Sequence, residues 1–194
     1  MKQDKETKFE IGVIHGRFQI LHNDHVKFLL AGKKLCDHLI VGITNPDPSL
    51  TKAHDSNPHR STLIANPMTY YERYVMIRET LLENGLELSE FSIVPFPINV
   101  PELLKYYAPM DAVFFLSIYD GWGRQKKEYL EELGLKVHIL WEVPLEEKGL
   151  SGSDIRNSML KGEPWEHFLP AAAIKLVKKW DIITRIRELS KEEI

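Results

Sequence analysis

Short apolar runs alternate with longer segments of helical spacing along most of the chain. The runs that predict buried strands cover residues 9–14, 38–43, 91–94, 112–116 and 136–140. Between them, apolar side chains recur at intervals of three and four residues, which is typical of helices. This recurrence is seen at Val26, Leu29 and Leu30, at Tyr74, Ile77, Leu81 and Leu82, and at Tyr129, Leu130 and Leu133. The alternation predicts an α/β fold with a doubly wound parallel sheet of about five strands.

The C-terminal part of the chain departs from this alternation. After the fifth run no further strand is indicated, whereas residues 151–161 and 171–180 have helical character. We therefore predict one domain over 1–194, with 141–194 as a helical C-terminal cap. Because ligands of such sheets bind beyond the carboxyl ends of the strands, the polar residues that follow each strand are the candidates for a site.

The connection over residues 45–68 is too long for an ordinary link between elements. Prolines punctuate it, and polar side chains that could reach a phosphate lie between them. These are Lys52, His54, His59 and Arg60. The segment predicts a mobile lid over a site, with an ordinary polar loop as the alternative. Thr69 and Glu72 then have the spacing of a capping box and predict the start of the second long helix.

Charge and cysteine content exclude several kinds of partner. The 28 acidic and 25 basic residues leave a net charge of −3, which gives no general attraction to nucleic acid or to an acidic membrane. No apolar run approaches the roughly 20 residues of a membrane-spanning helix. The single cysteine, Cys36, excludes an internal disulfide, and the mixed-charge start lacks a secretory apolar region. We expect a cytoplasmic protein, and its composition leaves a homo-oligomer open.

The stretch directly after the first strand carries the strongest chemical signal. Gly16 would let the backbone turn towards a ligand, and Arg17 can meet phosphate oxygens with two nitrogens. The helix that follows offers unpaired N–H groups at its positive end. His22 and His25 are three residues apart, so both imidazoles would lie on one side of its first turn. The pattern predicts a phosphate site, with a metal pair or simple capping residues as the alternatives.

This stretch and three later ones carry a resemblance to a known family. Residues 16–25 read Gly-Arg-Phe-Gln-x-x-His-x-x-His and resemble the nucleotidylyltransferase superfamily, whose signature is His-x-Gly-His. Residues 150–156, Leu-Ser-Gly-Ser-Asp-Ile-Arg, resemble its second signature, Ile-Ser-Ser/Gly-Thr-x-x-Arg. Residues 66–73, Asn-Pro-Met-Thr-Tyr-Tyr-Glu-Arg, and 162–167, Gly-Glu-Pro-Trp-Glu-His, are similar to archaeal-type nicotinamide mononucleotide adenylyltransferases and their bacterial relatives.

The resemblance implies a Rossmann-like fold and transfer of a nucleoside monophosphate from a nucleoside triphosphate to a phosphorylated acceptor. The leading expectation is AMP transfer from ATP to nicotinamide or nicotinate mononucleotide, which forms NAD or its deamido form and pyrophosphate. A cytidylyltransferase acting on another phosphorylated small molecule is the alternative. A nucleotide-binding regulatory module without turnover is a third. Mg²⁺ is expected to arrive on ATP, because no carboxylate cluster predicts a metal site of the protein itself.

The resemblance also assigns roles to individual residues. His22, His25, Arg17 and Arg156 would contact the phosphates and act in catalysis, although Arg156 alone could be a solvated helix residue. Nucleotide binding would further involve Gly16, Phe18, Gln19, Ser151 and Ser153.

The acceptor and one departure from the pattern involve other residues. Asp120 would accept a hydrogen bond from a ribose hydroxyl. Trp122, between two glycines in a pocket-edge loop, would stack on a flat ring, with ordinary packing as the alternative. Asp24 stands where the signature has glycine, which puts a carboxylate near the polyphosphate and motivates the inactive alternative.

Overall fold

The computed structural model describes residues 8–48, 62–147 and 149–192. Five strands form one sheet, and all of its pairings are parallel. They are β1 Phe9–Gly16, β2 Cys36–Thr44, β3 Phe91–Phe96, β4 Val113–Ile118 and β5 Lys136–Glu142. Most of the predicted lid, with Lys52, His54, His59 and Arg60, lies outside the described residues, so that prediction is not addressed by the fold.

The strand order is β3-β2-β1-β4-β5, which confirms the predicted Rossmann-like α/β class. β1 lies at the centre, and the chain leaves it towards β2 on one side and returns to β4 on the other. Every strand runs past its apolar run at the carboxyl end, so polar residues such as His15 and Thr44 belong to the sheet. Pro95 is tolerated within β3 because β3 is an edge strand.

Six α-helices surround the sheet in the described part of the chain. They are α1 Asn23–Lys34, α2 Tyr70–Glu83, α3 Gly121–Glu132, α4 Gly152–Lys161, α5 Ala171–Lys179 and α6 Ile182–Glu192. Short 3₁₀ turns lie at Pro101–Tyr106, Leu145–Glu147 and Glu166–Phe168. Among these residues no helix combines the length and apolar character needed to cross a membrane.

Successive residues of β1 point to opposite faces of the sheet, and each face has its own core. Ile14 faces the larger core, to which α1, α2 and the helices after β5 contribute Leu29, Ile77 and Val177. Val13 faces the smaller core, together with Leu130 of α3. The C-terminal helices therefore cover the same face of the sheet as α1 and α2.

The start of α2 has the predicted capping box. Thr69 Oγ1 accepts a hydrogen bond from the Glu72 backbone N–H at 3.2 Å, and Glu72 Oε2 accepts one from the Thr69 N–H at 2.8 Å. Arg185 of α6 donates to both carboxylate oxygens of Glu72, at 2.7 and 2.8 Å. This bidentate pair fixes the last helix to the beginning of α2.

Candidate active site

The turn after β1 is built differently from the prediction. The residue with a left-handed backbone is Phe18, with φ 52°, and not Gly16. A Cβ on Gly16 would lie 3.0 Å from the Phe18 ring, so the glycine makes room for this side chain. Phe18 is 2% exposed, and its ring meets the His25 ring edge-on at 5.1 Å. Phe18 therefore packs in the core and supports His25, and its predicted part in nucleotide binding stays a prediction.

The two motif histidines lie side by side at the start of α1. His22 is the N-cap residue, and its backbone N–H donates to His25 Nδ1 at 3.4 Å. The ring centroids are 3.7 Å apart with 30° between the planes. The structure thus brings both imidazoles together at the helix N-terminus, in the arrangement that the three-residue spacing predicts.

Burial favours the neutral form of both imidazoles. Burial lowers the pKa of His22 to about 4, although the negative charges of Asp24 and Asp154 act in the opposite direction. Burial also lowers the pKa of His25 well below its usual range, and the neighbouring His22 and the positive charge of Arg17 act in the same direction. A neutral imidazole can donate one N–H to a phosphate oxygen, and the bound anion would then favour its protonation.

The second motif forms the first turn of α4. Ser151 is the N-cap residue, with its Oγ accepting from the Asp154 N–H at 3.3 Å. The Asp154 carboxylate accepts from the Ser151 N–H at 2.9 Å and from its hydroxyl at 2.6 Å. Ser153 Oγ accepts from Arg156 Nη2 at 3.1 Å. Both serines therefore organise the helix start, and their contact with a nucleotide stays a prediction.

Arg156 links the two motifs. The residue is 5% exposed, and its Nη1 donates to the backbone carbonyl of Gln19 in the turn after β1. Burial lowers the pKa of Arg156 to about 10, so the side chain keeps its positive charge at neutral pH. The alternative of a solvated helix arginine is wrong, because Arg156 is buried and contacts the turn after β1 and the first turn of α4.

Asp24 forms a second link between the motifs. Its Oδ2 accepts a hydrogen bond from the Leu150 backbone N–H at 2.8 Å. A Cβ on Gly149 would collide with the same carboxylate, so a larger residue there would displace the Asp24 side chain from its present position. The carboxylate also lies in the first turn of α1, where the helix dipole favours a negative charge. Its side chain thus joins α1 to the second motif.

Two further side chains brace the turn after β1. Arg73, which is 2% exposed, donates to the backbone carbonyls of Arg17 at 3.0 Å, Thr44 at 2.8 Å and Asn45 at 2.8 Å. Gln19 donates to the Met68 carbonyl at 2.8 Å and accepts from its N–H at 2.9 Å. Both polar atoms of the Gln19 amide therefore have backbone partners, so this side chain braces the turn, and its contact with a nucleotide stays a prediction.

Arg73 was not among the predicted site residues. The only sequence signal for it was its place in the Asn-Pro-x-Thr-x-x-Glu-Arg stretch, which identifies a family and gives no role. Its contacts join carbonyls that follow β1 and β2, and carbonyl partners leave no pattern in a sequence.

The residues predicted to hold the acceptor lie on α3. Asp120 is the N-cap residue and accepts from the Gly123 N–H at 2.9 Å. Trp122 belongs to the first helical turn, so the predicted pocket-edge loop is wrong. Its side chain is 43% exposed, with Lys126 Nζ 5.5 Å from the ring centroid, which excludes core packing. Contact of either residue with an acceptor stays a prediction.

Within the described ranges, no group of three or more His, Cys, Asp or Glu side chains could hold a metal ion. The functional groups around the turn are imidazoles, guanidinium groups and helix N-termini, which suit phosphate oxygens better than a Mg²⁺ ion that prefers oxygen ligands.

This constellation agrees with a known family. A sequence model described as cytidylyltransferase-like matches residues 13–158, which include both motifs. The chain belongs to this family. A phosphonoformate cytidylyltransferase from Streptomyces viridochromogenes is 46% identical over 176 residues, covering 91% of this chain and 95% of that protein. A nicotinamide-nucleotide adenylyltransferase from Thermococcus onnurineus is 30% identical over 181 residues, covering 92% and 88%. This cytidylyltransferase-like chain is accordingly an enzyme of the nucleotidyltransferase class.

Solved structures share the fold. A bifunctional NMN adenylyltransferase/ADP ribose pyrophosphatase from Francisella tularensis, complexed with AMP and a manganese ion, has a TM-score of 0.66 at 15% identity. The match covers 93% of this chain and 52% of that one, so our chain spans about half the length of that protein. A nicotinate-nucleotide adenylyltransferase structure from Vibrio parahaemolyticus has a TM-score of 0.55 at 14% identity, covering 87% and 99%.

Proposed function

We propose that this enzyme transfers a cytidylyl group from CTP to a small phosphonate or phosphate and releases pyrophosphate. The observation that carries the proposal is the 46% identity to a phosphonoformate cytidylyltransferase over nearly the whole of both chains. The adenylyltransferases that act on nicotinamide nucleotide match at 30%. These values favour the cytidylyltransferase alternative over AMP transfer to a pyridine mononucleotide, which was the leading expectation from the motifs.

The reaction needs little covalent chemistry from the protein. An acceptor oxygen, already ionised at neutral pH, attacks the α-phosphorus of CTP. The new P–O bond forms as the bond from that phosphorus to the bridging oxygen breaks, and pyrophosphate leaves with the electron pair. The enzyme must therefore align the reactants and stabilise the charge that grows on pyrophosphate.

The described residues suit this task. The N–H groups of His22 and His25 lie at the N-terminus of α1, and Arg156 holds the N-terminus of α4 against the same turn. Two helix N-termini, two imidazoles and a buried guanidinium thus converge where a triphosphate would bind. His25 is the residue that we assign to the charge developing in the transition state, and Arg17, whose charge acts on His25, to an adjacent phosphate.

Mg²⁺ would accompany the triphosphate in this proposal. The metal would neutralise part of the phosphate charge, while the protein contributes the imidazole and guanidinium contacts. Because His22, His25 and Arg156 are all present, we favour an active enzyme over the alternative of an inactive regulatory module.

A pyrophosphate-release screen tests the function directly. It crosses the four nucleoside triphosphates with phosphonoformate, nicotinamide mononucleotide, its acid form and a phosphorylated alcohol, each with Mg²⁺. We expect release with CTP and the phosphonate, and its loss in His25→Gln. Pyrophosphate release with ATP and a pyridine mononucleotide would instead favour AMP transfer. The absence of release with every pair would favour the regulatory module.

A further inference from the structure

His15 is a buried histidine outside the phosphate motif, at the carboxyl end of β1. Its side chain is 5% exposed, and neither ring nitrogen has a hydrogen-bond partner among the described residues. Buried polar atoms are nearly always paired in native proteins because leaving them unpaired costs free energy. A buried histidine without a partner at the ligand-binding edge of a sheet therefore indicates a group that receives its partner from a ligand.

The surrounding residues hold this imidazole in a defined orientation. The His15 ring stacks on Phe96 at the end of β3, with centroids 4.7 Å apart and 16° between planes. Gly42 pairs with His15 in the sheet register, and a Cβ there would lie 2.7 Å from the Phe96 ring. The glycine thus allows Phe96 to lie flat against β2, where its ring supports His15. Residues of β1, β2 and β3 thus together fix the orientation of the His15 ring.

His15 and the triphosphate histidines both lie at the carboxyl edge of the sheet, but towards opposite faces of it. Side chains alternate between the two faces along β1, so His15 points to the same face as Val13. That face is covered by α3, whereas α1 packs on the other face. An acceptor attacking a triphosphate bound at α1 could extend over the end of β1 to reach this side. His15 is therefore placed for the part of the acceptor that does not react.

The charge near His15 suits an anion. Burial lowers the pKa of His15 well below its usual range, and the positive charge of Lys126 on α3 lowers it further. A neutral imidazole that feels the positive charge of a lysine is an N–H donor in a positive field, which favours a carboxylate. The pyridinium ring of a nicotinamide nucleotide is itself positively charged and would meet this field unfavourably.

We propose that His15, on the face of the sheet that α3 covers, binds a second acidic group of the acceptor and so selects small phosphonates that carry a carboxylate. This inference rests on the proposed function, because it names the acceptor class of the same site. The phosphonate oxygen reacts with the α-phosphorus, and the carboxylate stays free to accept an N–H from the His15 ring. His15 acts on specificity and takes no part in the chemical step.

His15→Phe is the decisive variant, because it keeps a flat ring against Phe96 and removes both nitrogens. Steady-state kinetics with CTP would compare phosphonoformate with methylphosphonate, which lacks the carboxylate. We expect KM for phosphonoformate to rise about tenfold or more, as for a lost hydrogen bond to a charged group. KM for CTP and kcat/KM for methylphosphonate should stay within about twofold, and Tm should not fall. His15→Asn keeps one donor and should be intermediate.

Two lysines of α3 provide a matched control. Lys126→Gln should raise KM for phosphonoformate by several-fold, whereas Lys127→Gln, whose ammonium pairs with Glu131 at 2.8 Å, should leave it unchanged.

The outcomes separate this inference from the proposed function. If the enzyme transfers CMP to phosphonoformate and His15→Phe prefers phosphonoformate over methylphosphonate as strongly as the wild type, the role of His15 is overturned. Cytidylyl transfer would still stand. A fall in Tm with equal losses for both acceptors would make His15 a packing residue. A wild-type enzyme inactive with CTP and both phosphonates would overturn the proposed function together with this inference.

Discussion

The residues proposed to bind the triphosphate and those proposed to bind the acceptor, here called the triphosphate side and the acceptor side, differ in their contacts within the protein. On the triphosphate side, distant segments are joined by hydrogen bonds to the backbone: Arg156 donates to the Gln19 carbonyl, and Asp24 accepts from the Leu150 N–H. On the acceptor side, His15 is buried with no partner in the described structure, and Trp122 is 43% exposed. Hydrogen bonds within the protein thus join the segments of the triphosphate side, whereas on the acceptor side both nitrogens of the His15 ring are left for a ligand.

The difference follows from what each side must recognise. A triphosphate is common to all nucleotidyl transfers, so its site can be fixed by a few motifs and held rigid by the fold. An acceptor differs from enzyme to enzyme, so its site depends on single side chains such as His15. This contrast explains why motifs identify the reaction and leave the substrate open.

The largest effect that we expect is a fall in kcat at His25 without a matching loss of stability. His25→Gln should lower kcat by about 10² or more, because a preorganised donor to the developing charge is lost. Gln at this third helical position can still accept the N-cap N–H, so the free energy of unfolding should change by less than about 1 kcal/mol. Rapid-quench or steady-state kinetics and denaturant unfolding measure the two quantities. His25→Ala should add the loss of the cap, about 1 kcal/mol. An unchanged kcat in the Gln variant would remove His25 from the chemistry.

Arg156→Ala tests whether the triphosphate side depends on its internal bonds. The change leaves the buried Gln19 carbonyl without its donor, so unfolding should become easier by about 2–4 kcal/mol. KM for CTP should rise about tenfold or more as kcat falls, because a phosphate clamp acts in both the ground and transition states. The matched control is Arg78→Ala, because Arg78 is partly exposed and pairs with the adjacent Glu79; stability should change by less than about 0.5 kcal/mol. Normal kinetics in a destabilised Arg156→Ala enzyme would limit Arg156 to a structural role.

Most of the fold could be predicted from the sequence, because local patterns determine it. Apolar runs and helical spacing gave the five strands, and the Thr69–Glu72 capping box marked the start of α2. The pattern missed the polar carboxyl ends of the strands, since His15 and Thr44 interrupt an apolar run while the backbone pairing continues. It also missed the first turn of α3, because glycines on both sides of Trp122 favour a loop by propensity.

The placement of the motif residues was predictable, and their roles stay predictions. His22 and His25 lie side by side, and Arg156 contacts the turn that precedes them. Arg73 and Gln19 could not be assigned, because their partners are backbone carbonyls and N–H groups of segments far away in the chain. His15 could not be recognised either, since a lone histidine in a strand has no signature until its missing partner is seen.

Variants of Asp24 measure how much the hydrogen bond between the two motifs contributes to the triphosphate side. Asp24→Ala leaves the Leu150 N–H without its carboxylate, so we expect a loss of about 1 kcal/mol in stability and a several-fold rise in KM for CTP. Asp24→Asn keeps an acceptor oxygen and should stay within about twofold of the wild type for KM. Titration calorimetry with CTP and steady-state kinetics measure both variants. A large gain in kcat for Asp24→Ala would mean that the carboxylate impairs turnover in the natural enzyme.

The smallest effect is expected at Trp122, on the acceptor side. A stacking contact contributes roughly 0.5–1.5 kcal/mol beyond burial, which corresponds to about a two- to tenfold change in KM. A small carboxylated phosphonate has no flat ring, so Trp122→Ala should change the acceptor KM by less than about threefold, through the loss of the indole beneath Lys126. Tm should hardly move, because the side chain is 43% exposed. A tenfold rise in the acceptor KM with an unchanged KM for CTP, partly recovered in Trp122→Phe, would instead indicate an acceptor with an aromatic ring. Such a result would break the contrast drawn here, because the exposed tryptophan and not the buried His15 would then select the acceptor.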